Sequence, residues 1–158
     1  MAFDPKTFSQ AKFEPRTKEW RFEDLAEFFG DDEPVFIVRG LDGGELAHCN
    51  ERADRGSLHG NAIDVIGEGL DADKIEAIKD WLGLGNDVPR QLVLDHEIVM
   101  HGCVSPVVDR ALSVRLARYF PGHHRVLAHS IRELTGQGWI LAKKKPSDSG
   151  QTPNTEPA

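Results

Sequence analysis

His96-Glu97-Ile98-Val99-Met100-His101 is the stretch of this chain closest to a metal-hydrolase motif. A zinc-protease helix carries two histidines four residues apart, so that both imidazoles leave one face. Here the interval is five, which sets the rings about 140° apart around a helix of 3.6 residues per turn. Within a regular helix they cannot share a metal, and surface or capping roles are expected, with His101 near the carbonyls of a helix end. His48-Cys49, with His59 or Cys103 elsewhere, offers nitrogen and sulfur ligands but no paired zinc-site spacing. His124 and Ser130 are too far apart along a helix to make a catalytic pair, and His123 reads as a polar turn residue. Nothing beside Cys49 or Cys103 marks an activated thiol. Gly83-Leu84-Gly85 lacks the third glycine of a dinucleotide loop, and Gly136-Gln137-Gly138 lacks the Lys-Ser/Thr ending of a phosphate loop. Asp31-Asp32-Glu33 clusters at a turn without acid–base partner geometry. No catalytic, cofactor-binding or metal-binding residue is assigned, and the chain is expected not to be an enzyme.

The elements around these residues are mostly helical. Residues 1–16 read as a flexible polar arm, and 17–142 as a single mostly helical domain opening on a β-hairpin (17–41). In that hairpin Lys18 to Phe22 alternates loosely, Glu23 to Phe29 is a short helix stopped at Gly30, and Val35-Phe36-Ile37-Val38 is a β-branched and aromatic strand. Asp42 with Glu45 three residues on resembles a capping box, and Leu46, Cys49 and Ala53 would face inward. Further helices are expected over Asn61–Ile66, Ala72–Leu82 and Val88–Met100, with a break at Gly83–Asp87 and a link at His101–Ser105. Pro106 opens a helix carrying Val108, Leu112, Leu116 and Tyr119. Phe120-Pro121-Gly122 breaks it, Leu127, Ile131 and Leu134 form the next stripe, and Gly136 is placed as a left-handed C-cap. Residues 143–158 read as a disordered tail. The fold class is therefore mainly α, a compact bundle of short helices with a small N-terminal hairpin.

A chain of 158 residues with 39% hydrophobic content fills one modest core. A net charge of −7 argues against general nucleic-acid binding. The charge is uneven: His101–Ala158 holds eight Lys/Arg against four Asp/Glu, while residues 1–100 hold 11 against 22. That polarity suits head-to-tail stacking or guidance of an acidic helix onto the C-terminal half, and equally a simple difference between two solvated faces. Two cysteines are too few for a disulfide framework and are expected as small buried hydrophobes. No run has the eighteen or so apolar residues of a membrane span, and Met1–Lys6 lacks a signal-peptide core.

Leu116-Ala117-Arg118-Tyr119-Phe120-Pro121, followed by Ile131-Arg132-Glu133-Leu134-Thr135-Gly136-Gln137-Gly138, resembles the tail assembly chaperones of long-tailed (siphovirus-type) bacteriophages. Pro146–Pro153 is similar to that family's Pro/Ser/Gly-rich exit, and Pro34–Leu41 with Glu45-Leu46-Ala47 adds an upstream patch. Together the patches reach from about Phe13 to Pro153. The resemblance implies a non-enzymatic protein that coats the long helical tape-measure protein in many copies until tail-tube protein displaces it. It implies the host cytoplasm as location and absence from the mature virion. In that family a longer form often arises by ribosomal frameshifting near this point, which is one reading of Lys143-Lys144-Lys145 beside a solubilising tail and a contact with the acidic face of a neighbouring copy or partner. His123-His124 departs from the apolar residues that related chains prefer there.

The expected partner-binding surface is Leu112, Leu116, Tyr119, Phe120, Leu127, Ile131 and Trp139; burial in the core is the competing reading for the first six, and packing back on the hairpin as a lid for Trp139. Trp139→Ala is expected to weaken partner binding and leave the fold intact. The competing function is a small helical adaptor or regulator that grips one protein partner, separable from a chaperone by stoichiometry.

Overall fold

The computed structural model describes residues 1–66, 71, 73 and 89–143, without side chains at 56–66. The helix expected over Ala72–Leu82, the break at Gly83–Asp87, Val88 and the tail from Lys144 lie outside the described residues.

The 1–16 arm carries secondary structure of its own. Asp4 caps helix α1 (Pro5–Gln10) by accepting a hydrogen bond from the Lys6 amide, with Pro5 at the position where a missing N–H costs nothing. Strand β1 (Phe13–Glu14) follows, pairing antiparallel with β5 (Ile140–Leu141) at the far end of the chain. Arg16 Nε also donates to the Gly138 carbonyl at 3.2 Å.

The expected hairpin is present. Strand β2 (Thr17–Arg21) pairs antiparallel with β3 (Val35–Arg39), Trp20 opposite Phe36 and Lys18 opposite Val38. Phe36 and Val38, alternate residues of β3, are buried, as the two-residue period of a strand requires. Between the strands Glu23–Phe28 winds as a 3₁₀ helix instead of an α-helix, with Leu25 buried beneath it. The segment expected as a link after the third helix supplies a further strand, β4 (Cys103–Ser105), on the other edge of β3. The chain thus combines helices with two small antiparallel sheets of three and two strands.

Helix α2 spans Gly43–Ile66 without interruption and absorbs the separate helix expected at Asn61. Its capping box forms: the Glu45 amide donates to Asp42 Oδ1 at 2.7 Å, and the Asp42 amide to Glu45 Oε2 at 3.0 Å. Cys49 and Ala53 are fully buried, while Leu46 is only partly so. Helix α3 (Arg90–Gly102) buries Val93, Leu94, His96, Glu97, Ile98 and Val99, with Leu92 only partly buried. Pro106 does not open a helix. It follows β4 through a cis peptide, and α4 (Arg110–Tyr119) begins only where the Asp109 carboxylate accepts from the Leu112 amide at 2.8 Å.

Helix α5 (Pro121–Gly136) starts on Pro121 and buries Leu127, Ala128, Ile131 and Leu134 against the other elements. Burying each such Leu or Ile contributes about 1.5–3 kcal/mol. Close approach is set by glycines. A Cβ on Gly102 would lie 2.5–2.7 Å from side-chain atoms of Ile131, and one on Gly40 would lie 2.9 Å from the Leu134 backbone. Trp20 Nε1 donates to Ser130 Oγ at 2.8 Å, and the Leu41 amide to Thr135 Oγ1 at 2.9 Å, fastening the sheet to α5. The left-handed glycine after α5 is Gly138 (φ 74°); Gly136, placed there by sequence, belongs to the helix, because the chain stays right-handed through Gln137.

Candidate binding groove

Leu112, Arg115, Leu116 and Tyr119 recur at intervals of three and four, so α4 sets them on one face. Across from that face stand Leu25, Phe28 and Phe29 from the 3₁₀ segment, with Phe36 of β3 behind them. Pro106, Asp32 and Phe120 complete a groove of about 680 Å³. Its floor is ordered by aromatic packing: Phe36 lies 5.5 Å from Phe22 and 5.7 Å, edge-on, from Phe29. Phe22 stacks on His123 at 4.3 Å, and His123 in turn meets Asp24 at 3.2 Å. His123 therefore holds the corner between α5 and the 3₁₀ segment, a larger role than a polar turn. On the rim, Phe28 is 69% and Tyr119 61% exposed. The Arg115 and Arg118 guanidinium groups each lie 5.8 Å from the Tyr119 ring, within the range of a cation–π contact.

Of the seven residues expected to meet a partner, the groove collects Leu112, Leu116, Tyr119 and Phe120. Leu127 and Ile131 are 0% exposed and form the core face of α5, which leaves them no surface for a partner. Trp139 is partly buried past the other end of α5, with its Nε1 buried and unpartnered among the described residues. The opposing wall was not picked out from sequence. Phe28 and Phe29 adjoin Gly30 and an acidic turn, and pairing of an exposed and a partly buried phenylalanine with a distant helix leaves no local signal.

Behind α4 lies a polar cluster that the spacing arguments did not reveal. Ser113 Oγ is 2.8 Å from His96 Nδ1 and 3.1 Å from His124 Nε2, joining α3, α4 and α5. A hydroxyl has one proton, so it donates to one imidazole and accepts from the other. His96, Ser113 and His124 are 4%, 0% and 2% exposed, so this serine–histidine contact is sealed from any substrate in solution. Burial pushes His96 down to about 4 and lowers His124 as well, because neither imidazole is solvated when charged. The unfolded chain then binds protons first, from about pH 6.5 downward, and stability falls across the window from 6.5 to about 4. The urea midpoint is expected to decline over that window and to decline less in His96→Gln; equal slopes in the two proteins would refute the assignment.

The remaining chemical candidates have structural places. His101 Nδ1 meets the Glu97 carbonyl at 2.8 Å, as a residue capping the end of its helix does. Burial raises Cys49 to about 11 and Cys103 to about 12, holding both as inert thiols. Glu97 pairs with Arg110, and Asp95 with Arg132, tying α3 to α4 and α5. Among the described residues no group of three His, Cys, Asp or Glu side chains is arranged to hold a metal, and no helix is long and apolar enough to cross a membrane. No family model, curated protein or solved structure matches this chain.

Proposed function

We propose that this chain is a phage tail assembly chaperone whose groove holds the apolar face of a helical client, the tape-measure protein. The observation that carries the reading is the groove itself: apolar on both walls, open at the rim, and bordered by large exposed side chains at Phe28, Leu112 and Tyr119. Contiguous exposed apolar surface marks interaction sites, and an amphipathic helix lays i, i+3, i+4 and i+7 anchors into such a groove. The likeness of Leu116–Pro121 and Ile131–Gly138 to the chaperone family supplies the client's identity. The docking set is Leu112, Tyr119 and Phe120, joined by Phe28 and Phe29, with Leu116 (5% exposed) at the buried base of the groove, on a helical body with α5 as its core. A single groove grips weakly, which lets tail-tube protein displace the chaperone, and many copies in a row retain the client through multivalency. The acidic N-terminal and basic C-terminal halves favour head-to-tail order among those copies. The reading places the protein in the host cytoplasm and outside the finished virion.

Co-expression with the long helical protein encoded downstream, followed by light scattering, tests this. A soluble complex with many copies per client is expected. One or two copies per client, or a lone monomer beside an aggregated client, would refute the chaperone reading and favour an adaptor. Phe28→Ser with Tyr119→Ser is expected to stay folded, since both side chains face solvent, and to lose client affinity by at least about tenfold. Unchanged retention by that variant would remove the groove from the mechanism.

A further inference from the structure

The two walls of the groove differ in charge as well as in origin. Arg115 stands on the α4 wall, with Arg118 beside it over the ring of Tyr119, and Asp32 stands on the opposite wall. Arg21, Arg39, Arg55, Arg90, Arg110 and Arg132 each hold an ion pair, and Arg16 bonds a backbone carbonyl. Among the described residues Arg115, Arg118 and Asp32 hold none. They are exposed charges of opposite sign on either side of an apolar trough.

An amphipathic helix has an apolar stripe with two flanks, and turning it end for end exchanges those flanks. A groove with one basic and one acidic lip therefore distinguishes the two directions of a helix whose flanks carry different charge. We infer that the groove takes an amphipathic helix with carboxylates on the flank facing Arg115 and Arg118 and ammonium groups on the flank facing Asp32, and thereby fixes the direction in which that helix lies. The inference rests on the groove being a helix-binding site. Its consequence is that every copy on a long client would point the same way, without any contact between copies. Exposed ion pairs are individually weak, so the lips set direction while the apolar floor supplies affinity.

The test uses the full chain, isotope-labelled for NMR, and two synthetic amphipathic peptides. Both peptides carry the same leucine stripe, with Glu along one flank and Lys along the other, and the second has the flanks exchanged. Each bears a nitroxide at its N-terminus. The first peptide is expected to broaden amides at one end of the groove only, at Leu112 or at Tyr119, and the second at the other end. Asp32→Lys with Arg115→Glu and Arg118→Glu, all at exposed positions, is expected to exchange the ends again, and 0.5 M salt to blur the distinction. Binding with both ends broadened alike would overturn the directional inference and leave the groove standing. Binding of neither peptide would overturn the groove reading and this inference together.

Discussion

Arg110→Met is expected to lower the unfolding free energy by about 3 kcal/mol at pH 7. Its partner Glu97 is a carboxylate on α3 whose side chain is 1% exposed. One oxygen meets the Arg110 guanidinium, and the other, Oε2, has no partner among the described residues. Methionine keeps the bulk of the arginine stem but strands that charge away from water, a change that costs about 3–5 kcal/mol in buried pairs. The low end applies because Arg110 is itself 30% exposed and partly screened. The control is Glu97→Gln combined with Arg110→Met, which removes the stranded charge and is expected to recover most of the loss. Urea unfolding of the wild type and the two variants decides it. A loss below about 1 kcal/mol in the single variant would mean that water reaches Glu97.

Ile131→Ala is expected to cost about 4 kcal/mol, near the upper part of the range for buried aliphatic truncation. Ile131 is 0% exposed and its side chain occupies the space that a Cβ on Gly102 would need. The truncation therefore opens a void directly against α3. Gly102→Ala alone drives a methyl group into Ile131 and is expected to destabilise by about 1–3 kcal/mol. Placed together, the new methyl fills part of the new void, so the double variant is expected to be more stable than the sum of its parts predicts. Additive losses would show that α3 and α5 do not approach as closely as the glycine implies.

The legible parts of this fold are the short-range ones. Asp42 and Glu45 announced their reciprocal cap because its partners lie three residues apart. Val35–Val38 announced a strand, and its pairing with the Trp20 segment needed only a hairpin. Pro106 misled because local rules favour it at a helix start, while pairing of Cys103–Ser105 with β3 moved the start to Arg110. Gly136 misled by two residues, with Gly138 taking the left-handed position.

The candidate site was half legible. Periodicity correctly placed Leu112, Leu116 and Tyr119 on one face of a helix and Leu127 and Ile131 on one face of the next. It could not say which stripe faces the core, because both are equally apolar. The meeting of His96, Ser113 and His124 escaped notice for a related reason: they join three helices, 17 and 11 residues apart, and no spacing rule connects them, so His96, expected at the surface or a cap, is instead buried. The same distance hid Phe28 and Phe29 as the partners of α4 across the groove.

The pairing of Phe13–Glu14 with Ile140–Leu141 ties together segments separated by nearly all of the described chain. Closing so long a loop carries the largest entropic penalty of any contact in the fold, and a ladder this short returns little for it. The pair is thus a clasp, last to shut during folding and first to release. Amide exchange should reach Ala142, whose N–H bonds the Lys12 carbonyl, long before it reaches β2 and β3. When the clasp opens, α1 swings away with Phe3, Phe8 and Phe13, which pack ring to ring at 5.4 and 5.3 Å, while the groove at the opposite end of α5 keeps its shape.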